Sequence, residues 1–293
     1  MKAEQTIRLW VEGARPKTIP AAIVPVLVGT AASAGSNFII YRFFLALLVS
    51  IALQVGVNYA NDYSDGIRGT DEDRIGPRRL VGSKLIPVRK VKWASFVSFF
   101  VAAIAGLILA IAINLWIVAI GLVAIIAAWF YTGGSNPYGY LGFGEVSVFV
   151  FFGLVATVGS AFVQSEKIEL VPILCGIGVG LVATGLLVVN NLRDIDTDRD
   201  AGKKTLAVRI GKGKTRFLYA FLMIGTVSVY ALIGVIYCYP ALISLIACPI
   251  VVKLAYQIYV KADSADLIKV LEMTAKFHLV SGCLFALGLM VGI

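Results

Sequence analysis

Apolar runs of about helix length recur nine times along this chain, near residues 18–34, 40–58, 94–112, 115–132, 145–164, 170–190, 217–236, 238–256 and 276–293. A stretch of about 20 predominantly apolar residues crosses the hydrocarbon core of a bilayer as a helix. Lipid offers the backbone no hydrogen-bond partner, so every amide and carbonyl must pair within the segment. The expected fold class is therefore all-α: a polytopic integral membrane protein with nine transmembrane helices, one domain over residues 1–293. Composition agrees, with 59% hydrophobic and 15% charged residues against roughly 45–50% and about 25% in soluble domains. Lys2, Glu4, Arg8, Glu12, Arg15 and Lys17 precede the first run. No short apolar stretch with a small-residue cleavage site follows, so no cleavable signal peptide is expected.

Charge sets the expected orientation. Of the 26 Lys and Arg, 23 lie in the N-terminal tail and in the stretches 59–93, 191–216 and 257–276, and Arg42 and Lys167 alone fall in the connections of the other side. Positive residues stay cytoplasmic, which places the N-terminus and both long polar stretches in the cytoplasm of a cell-membrane protein and the C-terminus outside. The net charge of +9 thus reads as topology and as attraction for lipid headgroups and phosphorylated substrates, not as a nucleic-acid partner. Cys175, Cys238, Cys248 and Cys283 stand singly in apolar segments without C-x-x-C spacing, which reads as packing rather than a zinc site or a disulfide framework.

The two polar stretches carry the chemistry. In the first, Asn58, Asn61, Asp62 and Asp65 fall at i, i+3, i+4 and i+7, one face of a helix if the second span continues that far. Gly66 and Gly69 are expected to end it. In the second, Asp194 and Asp198 align with Asn190 and Asn191, while Asp196 and Asp200 project from the other side and are expected to pair with Arg199, Lys203 and Lys204. Asp71, Glu72 and Asp73 read as solvated loop charges. Carboxylates gathered at a membrane boundary call for a compensating cation. Mg²⁺ suits such oxygen donors, because it bridges one or two carboxylates to substrate phosphates. Asp65 and Asp198 lie 133 residues apart, at the ends of the second and sixth runs, which suggests two four-helix units and a ninth helix.

The segments NDYSDGIRGTDEDRIGP and NNLRDIDTDRDAGKKTLAVRIG resemble the two Asp-rich motifs of the intramembrane aromatic prenyltransferases, the ubiquinone/menaquinone biosynthetic or UbiA superfamily, and within it the menaquinone branch. ARPKTIPAAIVPVLVG and YTGGSNPYGYLGFGEV extend the resemblance over nearly the whole chain. The resemblance implies nine helices around a central cavity with a lateral opening for a lipid tail. It also implies Mg²⁺ held by Asn61, Asp62, Asp65, Asp194 and Asp198, with Asp65, Asp194 and Asp198 catalytic. The six-residue spacing from Asp65 to Asp71 departs from the superfamily's common pattern and leaves Asp71 outside that set. The implied substrates are a polyprenyl diphosphate and an aromatic acid, 1,4-dihydroxy-2-naphthoate, which would lose its carboxylate to give demethylmenaquinone; 4-hydroxybenzoate or another aromatic acceptor is the alternative.

Asn58, Asn61, Arg68, Lys203 and Lys204 are candidates to line the diphosphate site, and Arg15 to meet the acceptor's carboxylate. Tyr131 and Glu145 are expected on the side opposite the motifs, in structural roles, and the lone His278 in helix packing. A transporter would also hold polar groups within helices, but near the bilayer midplane, where this chain is nearly uncharged. Phosphatidyl-alcohol transfer would require a D-G-x-x-A-R core, absent from this sequence.

Overall fold

The computed structural model describes residues 3–33, 38–69, 79–260 and 264–292, and the secondary structure there is helical. α1 (Ala3–Ala14) precedes the spans, followed by α2 (Pro20–Ala31), α3 (Ile40–Arg68), α4 (Val88–Ala112) and α5 (Trp116–Phe130). α6 (Gly144–Ser165), α7 (Leu170–Arg193), the short α8 (Ile195–Asp200) and α9 (Leu206–Ile236) come next, then α10 (Tyr239–Val260) and α11 (Ser264–Gly292). Each of the nine apolar runs is thus occupied by a helix. Seven are long and apolar enough to cross a bilayer, and α2 and α5 are shorter. At 1.5 Å per residue α2 and α5 reach only about 18 and 22 Å, less than the ~30 Å hydrocarbon core. α3, with 29 residues, reaches about 43 Å, more than the core requires, and its last turns carry the first acidic motif.

The most extensive helix pairs are α3 with α4, α6 with α7, α10 with α11 and α7 with α9; α3–α4 and α7–α9 are equivalent members of the two expected four-helix units. α7 is the most deeply buried of the seven long spans. Small residues on α7 let its neighbours approach: a Cβ on Gly153 of α6 would stand 2.6 Å from Gly180 Cα and 2.8 Å from the Gly176 carbonyl. Small residues one turn apart provide this kind of close backbone contact between helices in lipid. α6 is π-helical from Phe149 to Val155 across the same contact. Around α7, one apolar cluster joins Val182 and Val189 to Met223, Leu254 and Phe277. A second joins Val24 and Val28 of α2 to Cys175, Tyr230 and Phe285. The outward faces of α4, α5 and α9 expose large apolar residues such as Phe100, Ile111, Leu122 and Phe221, as a surface solvated by lipid requires.

The end opposite the motifs is tied by Arg42, whose guanidinium donates to the Val163 carbonyl and to Glu166, both at 2.9 Å. The four cysteines are free, and His278 is fully buried in α11.

Candidate active site

α3 runs unbroken through the first motif to Arg68, where Gly69 turns it in the left-handed region (φ 70°). Gly66 does not end the helix. A Cβ there would stand 2.3 Å from Val81 Cγ1, so its bare surface admits the chain returning at residues 79–86. That return is held by Asp62, whose carboxylate accepts the backbone amides of Leu80 and Val81 at 2.8 and 3.0 Å. Asp62, expected among the metal ligands, is almost fully buried beneath the returning chain and lies outside the cavity lining. The expectation for Asp71, Glu72 and Asp73 falls outside the described residues.

Asn58, Asn61 and Asp65 face a cavity of ≈ 790 Å³ that also takes in Asp194, Asp198, Lys203, Arg79 and Arg15. Asn58 donates to the Ala14 carbonyl at 2.9 Å and to Thr18 Oγ1 at 3.1 Å, which holds Arg15 at the cavity edge. Arg15 itself adopts a left-handed backbone (φ 54°), a conformation costly for a side chain with a Cβ. Asn61 accepts from Thr132 Oγ1 at 2.8 Å.

In the second motif the helical phase is reset. α7 ends at Arg193, Asp194 leaves helical geometry, and α8 begins at Ile195. The Asp198 amide still bonds the Asp194 carbonyl at 2.8 Å, so Asp194 and Asp198 share the cavity side while Asp196 points to solvent and pairs with Lys212 at 2.6 Å and Arg199 at 3.4 Å. Asp194 receives Arg193 through two bonds of 2.7 Å, and the same guanidinium reaches Asn190 Oδ1 at 2.8 Å.

Lys203 differs from the expectation that it would pair with the outward acids. The chain turns at Gly202 (φ 72°) and sends Lys203 inward, where its ammonium lies 3.4 Å from both Asp65 and Asp198. It also stands over the Tyr140 ring, 4.6 Å from the centroid. Arg68 and Lys204 do not reach the cavity. Arg68 binds the carbonyls of Thr132 and Gly134, and the Lys204 side chain is exposed while its amide bonds the Tyr140 carbonyl at 2.8 Å.

Those contacts correct the placement of the connection between α5 and α6. Two helices, α4 and α5, separate it from the first motif, so the chain comes back to the same end. Tyr131, Thr132 and Tyr140 line the cavity beside the carboxylates. The Tyr140 hydroxyl donates to Asp65; burial and that carboxylate push its pKa above the ordinary tyrosine value, so it remains a donor. Glu145 is buried and accepts from Asn191 at 2.9 Å. Arg79 and Tyr140 are the site residues that pattern reading did not single out, although Tyr140 sits in the segment YTGGSNPYGYLGFGEV.

From this charged end the cavity continues along an apolar wall formed by Leu107, Ile117, Ile125, Phe151, Phe152 and Val155. α5 packs on α3 and α4 and has no extensive contact with α6 among the described residues. The two helices are joined near their ends. Trp116 meets Phe162 with ring centroids 4.8 Å apart, and Tyr138 O–H bridges the Ala127 carbonyl and Ser147 Oγ at 2.9 Å each. Between these bridges the two helices make no extensive contact among the described residues.

Among the described residues no three His, Cys, Asp or Glu side chains converge into a metal cage. Mg²⁺ does not demand one, since it uses one or two carboxylates and completes its shell with water and substrate phosphate. Asp65 and Asp198, which share one cation in Lys203, are carboxylates of the kind such a shell uses.

The described residues thus form a bundle of membrane-type helices whose cavity joins a two-carboxylate end to a long apolar wall. Residues 22–280 match the UbiA prenyltransferase family, and the chain belongs to that family. It is 46% identical over 274 residues to the 1,4-dihydroxy-2-naphthoate octaprenyltransferase of Mycobacterium tuberculosis, covering 92% of this chain and 93% of that one. To the Escherichia coli protein of the same name it is 37% identical, covering 96% and 94%. Among solved structures, a UbiA homolog from Aeropyrum pernix K1 shares the fold with a TM-score of 0.75 at 14% identity, covering 93% of this chain and 98% of its own. One from Archaeoglobus fulgidus, bound to GPP and Mg²⁺, gives 0.67 at 15%, covering 94% and 99%.

Proposed function

We propose that this protein transfers a polyprenyl group from its diphosphate to 1,4-dihydroxy-2-naphthoate with loss of carbon dioxide, yielding demethylmenaquinone for menaquinone biosynthesis. The observation that carries the reading is the single cavity joining Asp65, Asp198 and Lys203 to a long apolar wall, in a chain whose relatives bear that enzyme's name over more than nine-tenths of their length.

The diphosphate lies at the charged end, with the tail along α5 and α6. Asp65 and Asp198, with Asn61 and Asp194 beside them, hold Mg²⁺, which when bound offsets the charge of the diphosphate oxygens. Lys203 and Arg79 complete the cradle, and Tyr140 orients Asp65. As the C1–oxygen bond breaks, its electron pair leaves with diphosphate. The apolar wall shields the developing allylic cation from water. The ring carbon bearing the carboxylate supplies the pair for the new carbon–carbon bond, and the pair of the carbon–carboxylate bond then restores the aromatic ring. Arg15, at the cavity edge, holds that carboxylate before it departs. N-terminus and motifs lie in the cytoplasm, the C-terminus outside.

The test is purified protein with Mg²⁺, a labelled polyprenyl diphosphate and a panel of aromatic acids. The expected product lacks the carboxyl group, with one carbon dioxide and one diphosphate released per turnover, both stopped by chelation. A product retaining the carboxylate, or preference for 4-hydroxybenzoate, overturns the acceptor; failure to consume any prenyl diphosphate overturns the activity.

A further inference from the structure

A second cleft, of ≈ 510 Å³, lies outside the bundle where α1 crosses the start of α4, and it is lined by Trp10, Pro87, Arg89, Lys90, Trp93 and Ala94. Its floor is rigid. Trp10 stands edge-on to Tyr59 at 5.5 Å and its carbonyl receives the Tyr59 hydroxyl at 2.9 Å. Trp10 and Ala94 also pack against the cluster of Tyr59, Leu80, Val81, Ile86 and Val91. Its rim is cationic. Arg89 and Lys90 are exposed, and no ion pair engages either among the described residues. The neighbouring Lys92 is different, because its ammonium sits over the rings of Tyr63 and Phe96 at 5.4 and 5.8 Å. On α1, Glu12 is paired with Arg8 at 3.2 Å, and neither Glu4 nor Glu12 lines the cleft.

Beside the cleft the exposed surface changes from charged to apolar. One turn below Arg89 and Lys90, Trp93 is 59% exposed, and Val97, Phe100 and Ile104 continue the same exposed apolar stripe of α4. Exposed Ile7 and Val11 on α1 mark the same level. Indoles prefer the interfacial layer of a bilayer. Basic side chains just cytoplasmic of a span attract anionic lipid headgroups, and guanidinium and ammonium donors bind a phosphodiester through charge-assisted hydrogen bonds.

We propose that this cleft is a binding site for one anionic glycerophospholipid, with the headgroup phosphate between Arg89 and Lys90, the glycerol against the two indoles, and an acyl chain along Trp93, Val97, Phe100 and Ile104. The occupant is a lipid rather than a soluble phosphate because the cationic rim opens onto an apolar stripe long enough for an acyl chain. The site shares no lining residue with the catalytic cavity, so its occupancy is independent of the reaction.

The test is the full-length protein in nanodiscs of equimolar phosphatidylglycerol and phosphatidylcholine, released into native mass spectrometry, with retained lipids counted. Wild type is expected to keep one phosphatidylglycerol in preference to phosphatidylcholine. Each neutralised side chain should lower that preference about fivefold, the effect of one basic residue near an anionic surface. Arg89→Gln/Lys90→Gln therefore abolishes selectivity, Lys90→Gln alone reduces it, and Lys92→Gln leaves it unchanged. Trp93→Ala weakens retention of both lipids. Equal retention of the two lipids by wild type overturns the proposal, as does an equal loss in Lys92→Gln, which would mean diffuse charge. Complete displacement by inorganic phosphate overturns it in favour of a soluble anion. If the double variant does not fold, the comparison of Lys90→Gln with Lys92→Gln decides in the same way.

Discussion

Asp65 and Lys203 are 138 residues apart in the chain and 3.4 Å apart in space. Asp198 lies at the same distance from that ammonium, so one cation draws together the carboxylates of both motifs. Asp65→Asn and Asp198→Asn are each expected to lower prenyl transfer by about 10²–10³-fold, the loss typical of one preorganised electrostatic group, with insertion into the membrane unchanged. Asp196→Asn should cost less than about fivefold, because its partners are exposed and such pairs contribute little. Initial rates in detergent check all three; equal losses at Asp196 and Asp198 would refute the assignment of sides.

Asp62 gives a contrasting prediction. Removing its carboxylate leaves the buried amides of Leu80 and Val81 without acceptors, at about 1–3 kcal/mol for each unsatisfied group. Asp62→Ala is expected to lower the thermal midpoint in detergent and to leave the Mg²⁺ concentration for half-maximal activity unaltered. A shifted Mg²⁺ requirement without lost stability would return Asp62 to the metal.

Tyr140→Phe keeps the ring beneath Lys203 and deletes the donor to Asp65. Loss of one charge-assisted hydrogen bond predicts about a tenfold rise in KM for the prenyl diphosphate, with the acceptor's KM unaffected. Because the hydroxyl's pKa lies above its ordinary value, the wild-type rate should show no deprotonation of this tyrosine between neutral and moderately alkaline pH.

The contact of α6 with α7 predicts a packing effect far from the chemistry. Gly153→Ala places a methyl 2.6 Å from Gly180 Cα, whereas Gly159→Ala meets nothing within 4 Å. The first should destabilise by about 1–3 kcal/mol, as overpacking does, and the second by little, read as the difference in thermal midpoint between the two variants.

Orientation is tested by cysteines placed one at a time at Ser83, Lys212 and Lys167 in a background without the four native thiols. The first two should react with a membrane-impermeant reagent only from the cytoplasmic side and the third only from outside. Labelling of Lys167 and Ser83 from one side would refute the topology.

How far the site was legible depended on where each residue's geometry is decided. The Asn58–Asp65 stripe was readable because α3 continues without a break and its spacing alone sets the face. The division between Asp198 and Asp196 was readable because one helical turn survives the reset at Asp194. Lys203 was not, since its direction follows from the left-handed turn at Gly202, after helical phase has lapsed. Asp62 shares the stripe and yet is claimed by amides 18 and 19 residues later, which no local pattern encodes. Tyr140 and Arg79 become site residues only through tertiary contact, and the α5–α6 connection needed a correct count of crossings.

The seam between α5 and α6, pinned by Trp116 at one end and Tyr138 at the other, decides what this protein measures. A closed tunnel acts as a ruler, because its blind end stops any chain that is too long. A seam held only at its ends sets no such stop, so the proposed reaction is expected to take polyprenyl diphosphates of several lengths at similar kcat/KM; a sharp cut-off in length would mean that the wall closes between the two pins.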